Sequence, residues 1–507
     1  MPSLLCLDLG TSAAKAALID TTGTLRAQAS SAYPTRSAPG RGAEQAPSNW
    51  VRSARAAITA IRADGPGDGS PDAPIAALSL TGQMQDLVLE TDDGTDVPAI
   101  LYSDTRAARE ADELHAAFRD EDAAVSSWDR ITGNLQDATS CAAMFRRLVR
   151  TDPDLVQRTR GIVFGPAGHL AHLLGLGCWC DPTTAAATGL LDARSRTWSP
   201  PIAAAAGIDE TLLPAITASA GQVIGRTGAN AQQLLGLPAG LPVVLAPGDA
   251  GATTLGLVGL DPGDEYAYLG SSGWLATVLP RAHSASRPGA SHHLALGATR
   301  RAPGGTLRIS ALLAAGAAAS WAREALLSGV SAATADAMLE RREAEHGRGP
   351  TGLLALPSLF GERFPVRDGD LRAALIGMGP GTCGIDMYAA VLEGIAHALA
   401  HAHVEGAEGR RPLAVTGGGA ASAPWLRILA DVMGRPVRTL EQDDAALVGC
   451  AIAAAEALGL EHGIVPLGAR ETVRTIEPDP SAAEAHASLR PAHRALYTAV
   501  AEVRALQ

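Results

Sequence analysis

Two short segments constrain the fold of this chain more than any other feature: Leu9-Gly-Thr-Ser and Leu269-Gly-Ser-Ser. Each stands between runs of small and apolar residues. Apolar runs of this length, interrupted by small turn residues, suit buried strands. Ser3 to Asp20 therefore reads as strand, Gly-Thr-Ser turn, strand, and the segment through Val278 repeats the pattern near mid-chain. A repeat of this kind predicts two similar domains whose turns face each other across a cleft. A chain of 507 residues is long enough for both. The boundary is expected near Leu257 to Gly263, dividing the chain into 1–257 and 258–507, with a helical tail from about residue 459.

Other elements follow from local signals. In the first half, Leu25 to Ser31, Ile75 to Leu80 and Leu87 to Glu90 read as strands. Trp50 to Arg62 reads as a helix capped by Ser48 or Asn49, and the Gly/Pro/Asp-rich stretch Asp64 to Pro74 as a loop. In the second half, helices are expected over Ala311 to Leu327, Gly384 to Val404, Ala423 to Met433 and Ala445 to Leu458. Strands are expected at Pro412 to Thr416 and Pro436 to Thr439. Strands alternating with helices make an α/β layered protein.

Charge and cysteine usage remove whole classes of function. The chain carries 41 basic and 53 acidic residues, net −12, and no basic run. It has no electrostatic footprint for nucleic acid or an anionic membrane surface. No uncharged apolar run reaches the ~20 residues of a membrane span, and the N-terminus has no signal-peptide pattern, with Asp8 inside its apolar run. The six cysteines are scattered and complete no zinc site, which points to reduced thiols in a cytoplasm. Lys15 is the sole lysine.

Four segments could carry chemistry. In Asp8-Leu-Gly10-Thr11-Ser12, a Gly-hydroxyl turn offers amides and hydroxyls to phosphate oxygens, and Asp8 could hold Mg²⁺. The same residues also make an ordinary tight hairpin. Ala246-Pro-Gly-Asp249 presents a carboxylate after the strand Leu241 to Leu245, where α/β folds place their chemistry, although an N-cap Asp has the same pattern. Gly417-Gly418-Gly419-Ala-Ala-Ser422 lets backbone approach a flat ligand. It is neither G-x-G-x-x-G nor a P-loop. Gln83, Met84, Gln85, Tyr102 and Asp104 lie in two polar loops suited to sugar hydroxyls, or simply to solvent.

In combination and in order, these segments resemble the FGGY carbohydrate kinases of the actin-like ATPase superfamily over nearly the whole chain. Glu44-Gln45 with Trp50 resembles the family's E-Q-x-x-x-x-W, Gly82-Gln-Met its G-Q-M-H, and Tyr102-x-Asp104-x-Arg106 its W-x-D-x-R. Asp181-Pro-Thr-Thr with Trp198, Gly248-Asp249, Gly270-Ser271-Ser-Gly273, Gly361-Glu-Arg-Phe-Pro365 and the Gly417 run match further motifs. Gln85, Tyr102 and Phe364 depart from the family pattern, and the first two fall where the family holds its sugar.

The resemblance implies two actin-like (ribonuclease H-like) ATPase domains around a cleft, the first binding sugar and phosphate and the second adenosine. It implies ATP and Mg²⁺ as cofactors, a small sugar as substrate, and a monomer or homodimer. It assigns the catalytic base to Asp249 and magnesium to Asp8, through water. It gives phosphate to Gly10, Thr11, Ser12, Lys15, Gly270, Ser271 and Gly316, and adenosine to Gly417, Gly418, Gly419 and Ser422. The sugar falls to Gln83, Met84, Gln85, Tyr102, Asp104 and Asp249. The expected reaction is D-xylulose to D-xylulose 5-phosphate. Kinases of ribulose, sedoheptulose or a sugar alcohol are the alternatives within the class, and an idle sugar- or nucleotide-binding regulator is the alternative outside it. A chaperone-type ATPase would lack the G-Q-M and G-E-R-x-P segments.

Overall fold

A computed structural model describes residues 1–63, 74–119, 126–281, 289–403, 411–440, 444–470 and 474–506. The expected loop at Asp64 to Pro74 lies outside them apart from its last residue, as does Val404.

Two mixed sheets organise the chain. The first runs Gln222–Arg226, Pro242–Leu245, Ile75–Gly82, Ser3–Leu9, Ala13–Asp20, Leu25–Ala32. Ser3–Leu9 is parallel to Ile75–Gly82, which is parallel to Pro242–Leu245. Its other neighbour, Ala13–Asp20, is antiparallel, with Asp8 opposite Lys15. The second sheet runs His292–Leu296, Gly305–Leu312, Gly273–Pro280, Glu265–Leu269, Leu413–Thr416, Val437–Thr439, Thr475–Ile476. Here Glu265–Leu269 is antiparallel to Gly273–Pro280 and parallel to Leu413–Thr416, which is parallel to Val437–Thr439. Six strands of each sheet thus share one order and one set of directions. The repeat read from two short turns extends through both sheets, and the result is the two-domain actin-like α/β architecture.

Two elements differ from expectation. The helix predicted from Ala311 begins at Gly316 and ends at Leu326, because Gly305–Leu312 is a strand paired with Gly273–Pro280. Ala311 obeys the sheet's pairing rather than its helical propensity. The first helix begins at Pro47, ahead of Ser48 and Asn49, since proline's fixed φ suits the first helical turn.

The two sheets meet through a helix pair. Asp249–Leu257 and Ala445–Ala457 cross at glycines: a Cβ on Gly256 would lie 1.8 Å from the Ala445 carbonyl oxygen, and one on Gly449 would lie 2.0 Å from that of Ala252. Ala445–Ala457 also packs on the first sheet, where the Ser79 hydroxyl donates to the Cys450 carbonyl at 3.0 Å.

The tail forms the helix Pro480–Arg504, which lies against Gly384–Ala400 through a buried set of imidazoles. His493 Nε2 donates to the Ala355 carbonyl at 3.0 Å. In neutral His493, Nδ1 is then an acceptor, so His401 Nε2 donates to it at 2.9 Å. Burial, reinforced for His397 and His401 by their neighbours, depresses these groups; His486 and His493 fall to about 4. A histidine depressed in the folded state binds its proton first in the unfolded chain, at about 6.5. Its stabilising effect is complete above that pH and is lost as the pH falls towards 4. The Tm is therefore expected to drop steeply between pH 6.5 and 4. A flat Tm over that interval would exclude the cluster as the acid-sensitive lock of the tail.

Candidate active site

The three parallel strands of the first sheet end on the same edge, and each delivers one loop there. Ser3–Leu9 leads into Gly10-Thr11-Ser12, Ile75–Gly82 into Gln83 to Asp86, and Pro242–Leu245 into Gly248-Asp249. Parallel pairing therefore gathers residues far apart in sequence.

Asp249 is the first residue of its helix, with Gly248 as the cap, so it is not the N-cap that its sequence pattern also allowed. Its Oδ1 accepts from the Ala250 amide at 2.6 Å. Burial, together with the charges of Asp8 and Asp181 and against the Ala250 amide, raises the carboxyl to about 7. Asp8 itself is raised to about 6 by burial, against the pull of Lys15, and its Oδ1 is buried without a hydrogen-bond partner. An orphaned carboxylate oxygen at the mouth of a phosphate-type turn fits a hydrated divalent cation.

Gln45 ties the first turn to the Gln83 loop. Its amide nitrogen donates to the Thr11 carbonyl and the Thr35 hydroxyl, both at 2.8 Å. Its Oε1 accepts from Trp50 Nε1 at 2.8 Å and Gln83 Nε2 at 2.9 Å. This explains the Gln45 and Trp50 spacing: one amide joins the phosphate turn to the Gln83 loop. Met84 lies against Gly248, where a Cβ would meet its sulfur at 2.4 Å. Gln85 adopts a left-handed backbone, φ 65°, and donates to the Thr139 carbonyl at 2.7 Å. Tyr102 is 41% exposed and is held by its amide, which donates to Asp86 Oδ1 at 3.1 Å.

Asp104 departs from expectation. It is 1% exposed, and its oxygens accept from the amides of Ala43 and Arg106 and from the Arg106 guanidinium. A carboxylate has about four acceptor sites, and these contacts fill them, so no oxygen is left for a sugar. Asp104 orients Arg106, which also binds Glu44 at 2.8 Å.

Lys15 forms an ion pair with Asp444, the N-cap residue of Ala445–Ala457. That contact links the two halves of the chain beside the first turn.

In the second sheet the same edge collects the other turns. The Gly270 carbonyl accepts from the Gly316 amide at 2.7 Å, and Ser271 accepts from the amides of Ala315 and Ala317. Gly417, φ 93°, sits so close to Leu269 that a Cβ would lie 2.7 Å from its carbonyl carbon. Gly419 would clash with Leu269 and Trp425, whereas Gly418 faces open space. The Ser422 hydroxyl caps Ala423–Met433 and donates to Asp336 Oδ1 at 2.7 Å. Gly270, Ser271, Gly316, Gly417, Gly418, Gly419 and Ser422 thus come together.

Sequence reasoning gave no role to several residues here. Asp181 accepts from the amides of Thr183 and Thr184, at 2.9 and 3.1 Å, and from that of Gly248, fixing the turn before Asp249. Asp86 is fully buried with one oxygen unpartnered, so burial pushes its carboxyl well up. Asp444 and Asp336 act through partners distant in sequence, which no local pattern signals.

Residues 3–256 match the model of the N-terminal domain of the FGGY family of carbohydrate kinases, and residues 266–458 that of its C-terminal domain. The chain belongs to this family. FGGY kinases are sugar phosphotransferases that take their phosphate from ATP. The chain is 29% identical to the xylulose kinase of Escherichia coli K12, covering 85% of this chain and 84% of that one. It is 28% identical to an autoinducer-2 kinase of E. coli SMS-3-5, over 83% and 80%. Among solved structures, xylulose kinase from Rhodospirillum rubrum superposes with a TM-score of 0.86, at 27% identity and 99% coverage of both chains. This FGGY kinase has, among the described residues, no helix long and apolar enough to cross a membrane.

Proposed function

We propose that this FGGY kinase transfers the γ-phosphoryl group of ATP to the primary hydroxyl of D-xylulose, giving D-xylulose 5-phosphate and ADP. The observation that carries the reading is Asp249, a carboxyl raised to about 7 at the end of the central strands, beside the orphaned Asp8 oxygen. A base poised near the working pH accepts a proton most effectively. Asp249 Oδ1 is held by Ala250, leaving Oδ2 to take the hydroxyl proton. The freed oxygen bonds to the γ-phosphorus as the bond from phosphorus to ADP breaks. Asp181 positions the base through Gly248.

Asp8 would hold Mg²⁺ through waters, which would supply charge neutralisation for the phosphates. Gly10, Thr11 and Ser12 would cradle phosphate from the first domain (residues 1–257), and Gly270, Ser271 and Gly316 from the second (258–507). The Gly417 to Ser422 run would bound the adenosine, with Gly418 on its open side. Gln83, Met84, Gln85 and Tyr102 would line the sugar. Lys15 would exchange Asp444 for a phosphate oxygen. A partly exposed pair is worth about 0–1 kcal/mol, so Lys15→Ala is expected to leave Tm nearly unchanged while raising the KM for ATP severalfold. An unchanged KM would leave Lys15 only its pairing role.

The test is an ADP-release assay with MgATP against D- and L-xylulose, D- and L-ribulose, sedoheptulose, ribitol, xylitol, erythritol and glycerol. Autoinducer-2, after which a relative is named, belongs in the same panel. D-xylulose is expected to stand about tenfold above the rest in kcat/KM, a difference of ~1.4 kcal/mol in transition-state binding. Preference for another compound would reassign the pocket. Background hydrolysis alone, unaffected by Asp249→Asn, would favour the idle regulator.

A further inference from the structure

None of the groups assigned to phosphate, magnesium or sugar comes from Gly361-Glu-Arg-Phe-Pro365, yet this segment reaches both sides of the candidate site. Its base is closed. The Glu362 amide donates to the Asp368 carbonyl at 2.7 Å, and the Asp368 amide donates back to the Glu362 carbonyl at 3.0 Å. Gly361, φ 87°, is packed so tightly that a Cβ would stand 2.6 Å from the Gly369 carbonyl oxygen. Glu362 and Arg367 therefore leave one pinned loop, the first into the core and the second towards the surface.

Inward, Glu362 is 2% exposed. A carboxylate buried this deeply is costly unless donors compensate it. Its Oε1 accepts from the Leu313 amide at 3.3 Å and the Arg363 amide at 2.9 Å, and its Oε2 from the Ser358 hydroxyl at 2.8 Å. Leu313 is the informative partner. It follows Leu312, the strand residue opposite Gly273, and precedes Ala315, Gly316 and Ala317. The amides of those three donate to the carbonyls of Gly270 and Ser271 at 2.7 to 3.0 Å. Glu362 thus holds the backbone on which the second Gly-hydroxyl turn rests.

Outward, Arg367 crosses to the first half of the chain. It forms an ion pair with Asp137 and donates through Nη1 to the Leu135 carbonyl at 3.4 Å. The other oxygen of Asp137 accepts from the amide and hydroxyl of Thr139, at 2.8 and 2.7 Å. The Thr139 carbonyl in turn takes the Gln85 side-chain amide at 2.7 Å. Gln85 sits in a left-handed conformation that costs a non-glycine residue free energy, so its surroundings must hold it there.

We propose that residues 361–368 are a brace across the active site, in which Glu362 positions the second phosphate turn through Leu313 and Arg367 positions Gln85 through Asp137 and Thr139. Both are positioning residues, and neither touches a reacting atom. The proposal rests on the reading that gives Gly270 and Ser271 to phosphate and Gln85 to the sugar.

Steady-state kinetics of the full chain, with MgATP and D-xylulose or the panel compound preferred to it, test both anchors. Glu362→Ala is expected to lower kcat/KM for ATP about tenfold or more, because a shift of about 1 Å near the reacting groups can cost 10²-fold. The KM for the sugar should hold. Glu362→Gln keeps an oxygen for Leu313 and should restore the ATP constants. Glu362→Asp falls one methylene short of Leu313 and should lose in the same direction as alanine, so it serves if the alanine variant does not fold. Arg367→Gln should raise the KM for the sugar about two- to fivefold, the worth of an exposed ion pair. The KM for ATP and the Tm should stay as in the wild type, and Arg367→Lys should restore the sugar constant. Wild-type constants for ATP in both Glu362→Ala and Glu362→Asp would overturn the inner anchor. So would losses shared equally by ATP and sugar in step with Tm, which a merely structural role predicts. A sugar KM unmoved by Arg367→Gln would overturn the outer anchor. Gly270→Ala and Gln85→Ala examine the underlying assignment separately. If they raise the KM for ATP and for sugar respectively, that assignment stands whatever the brace variants do. If they do not, the assignment falls and the brace with it.

Discussion

Replacing Asp249 by asparagine is expected to lower kcat by about 10²–10⁴-fold, the usual contribution of a positioned general base. The substitution is nearly isosteric, and the side-chain oxygen that accepts from Ala250 can be kept. Folding and ATP binding should therefore survive, as calorimetry with ATP and a melting curve would show. The wild type supplies a second readout. With Asp249 raised to about 7, the carboxyl is protonated at lower pH and cannot accept the sugar's proton. The kcat/KM for sugar should rise with pH through about 7, and the asparagine variant should lose that limb. Wild-type-like turnover by Asp249→Asn, or an acid limb that survives the change, would move the base elsewhere.

A single methyl group at Gly449 is expected to cost about 1–3 kcal/mol, the range for overpacking a well-packed contact. The sign is informative, because Gly→Ala within an ordinary helix usually stabilises by about 0.5–1 kcal/mol. Here the added Cβ would lie 2.0 Å from the carbonyl oxygen of Ala252, a backbone atom that no rotamer change can move away. The two helices would have to separate, and the displaced one begins at Asp249. Misplacing a reacting group by about 1 Å can cost 10²-fold in rate, so Gly449→Ala should lose activity beyond its loss of stability. Activity and Tm would be measured on the same preparation. A variant as stable and as active as the wild type would show that the helices have room to part.

The pairing at Asp104 shows why the two polar loops were harder to read than the glycine turns. Gly10-Thr11-Ser12 and Gly270-Ser271 are small, hydroxyl-bearing residues between apolar runs, so their place as turns between strands could be read locally. Asp104 has the composition of a binding residue, yet its oxygens are filled by Arg106 and by the amide of Ala43, which lies 61 positions away. Only the folded chain assigns such partners. Likewise Ala311 and Leu312 carry a helical propensity that pairing with Gly273–Pro280 overrides.

What the sequence by itself determined is the set of features that short-range physics controls. These are the two strand–turn–strand units, the alternation that makes two α/β domains, the Asp249 carboxylate after an apolar strand, and the glycine run before a helix. The ordered motifs then sufficed to place the family. Tertiary structure alone decided which partners the charged groups find: Lys15 with Asp444, 429 positions apart, Asp181 with the Gly248 amide, and Arg196 with the Leu296 carbonyl. It also decided that Gly256 and Gly449 lie at a helix crossing, and that burial lifts Asp249 into the range of a working base. The reason is physical: turn and strand preferences act over a few residues, whereas desolvation and ion pairing depend on neighbours that only the packed chain brings together.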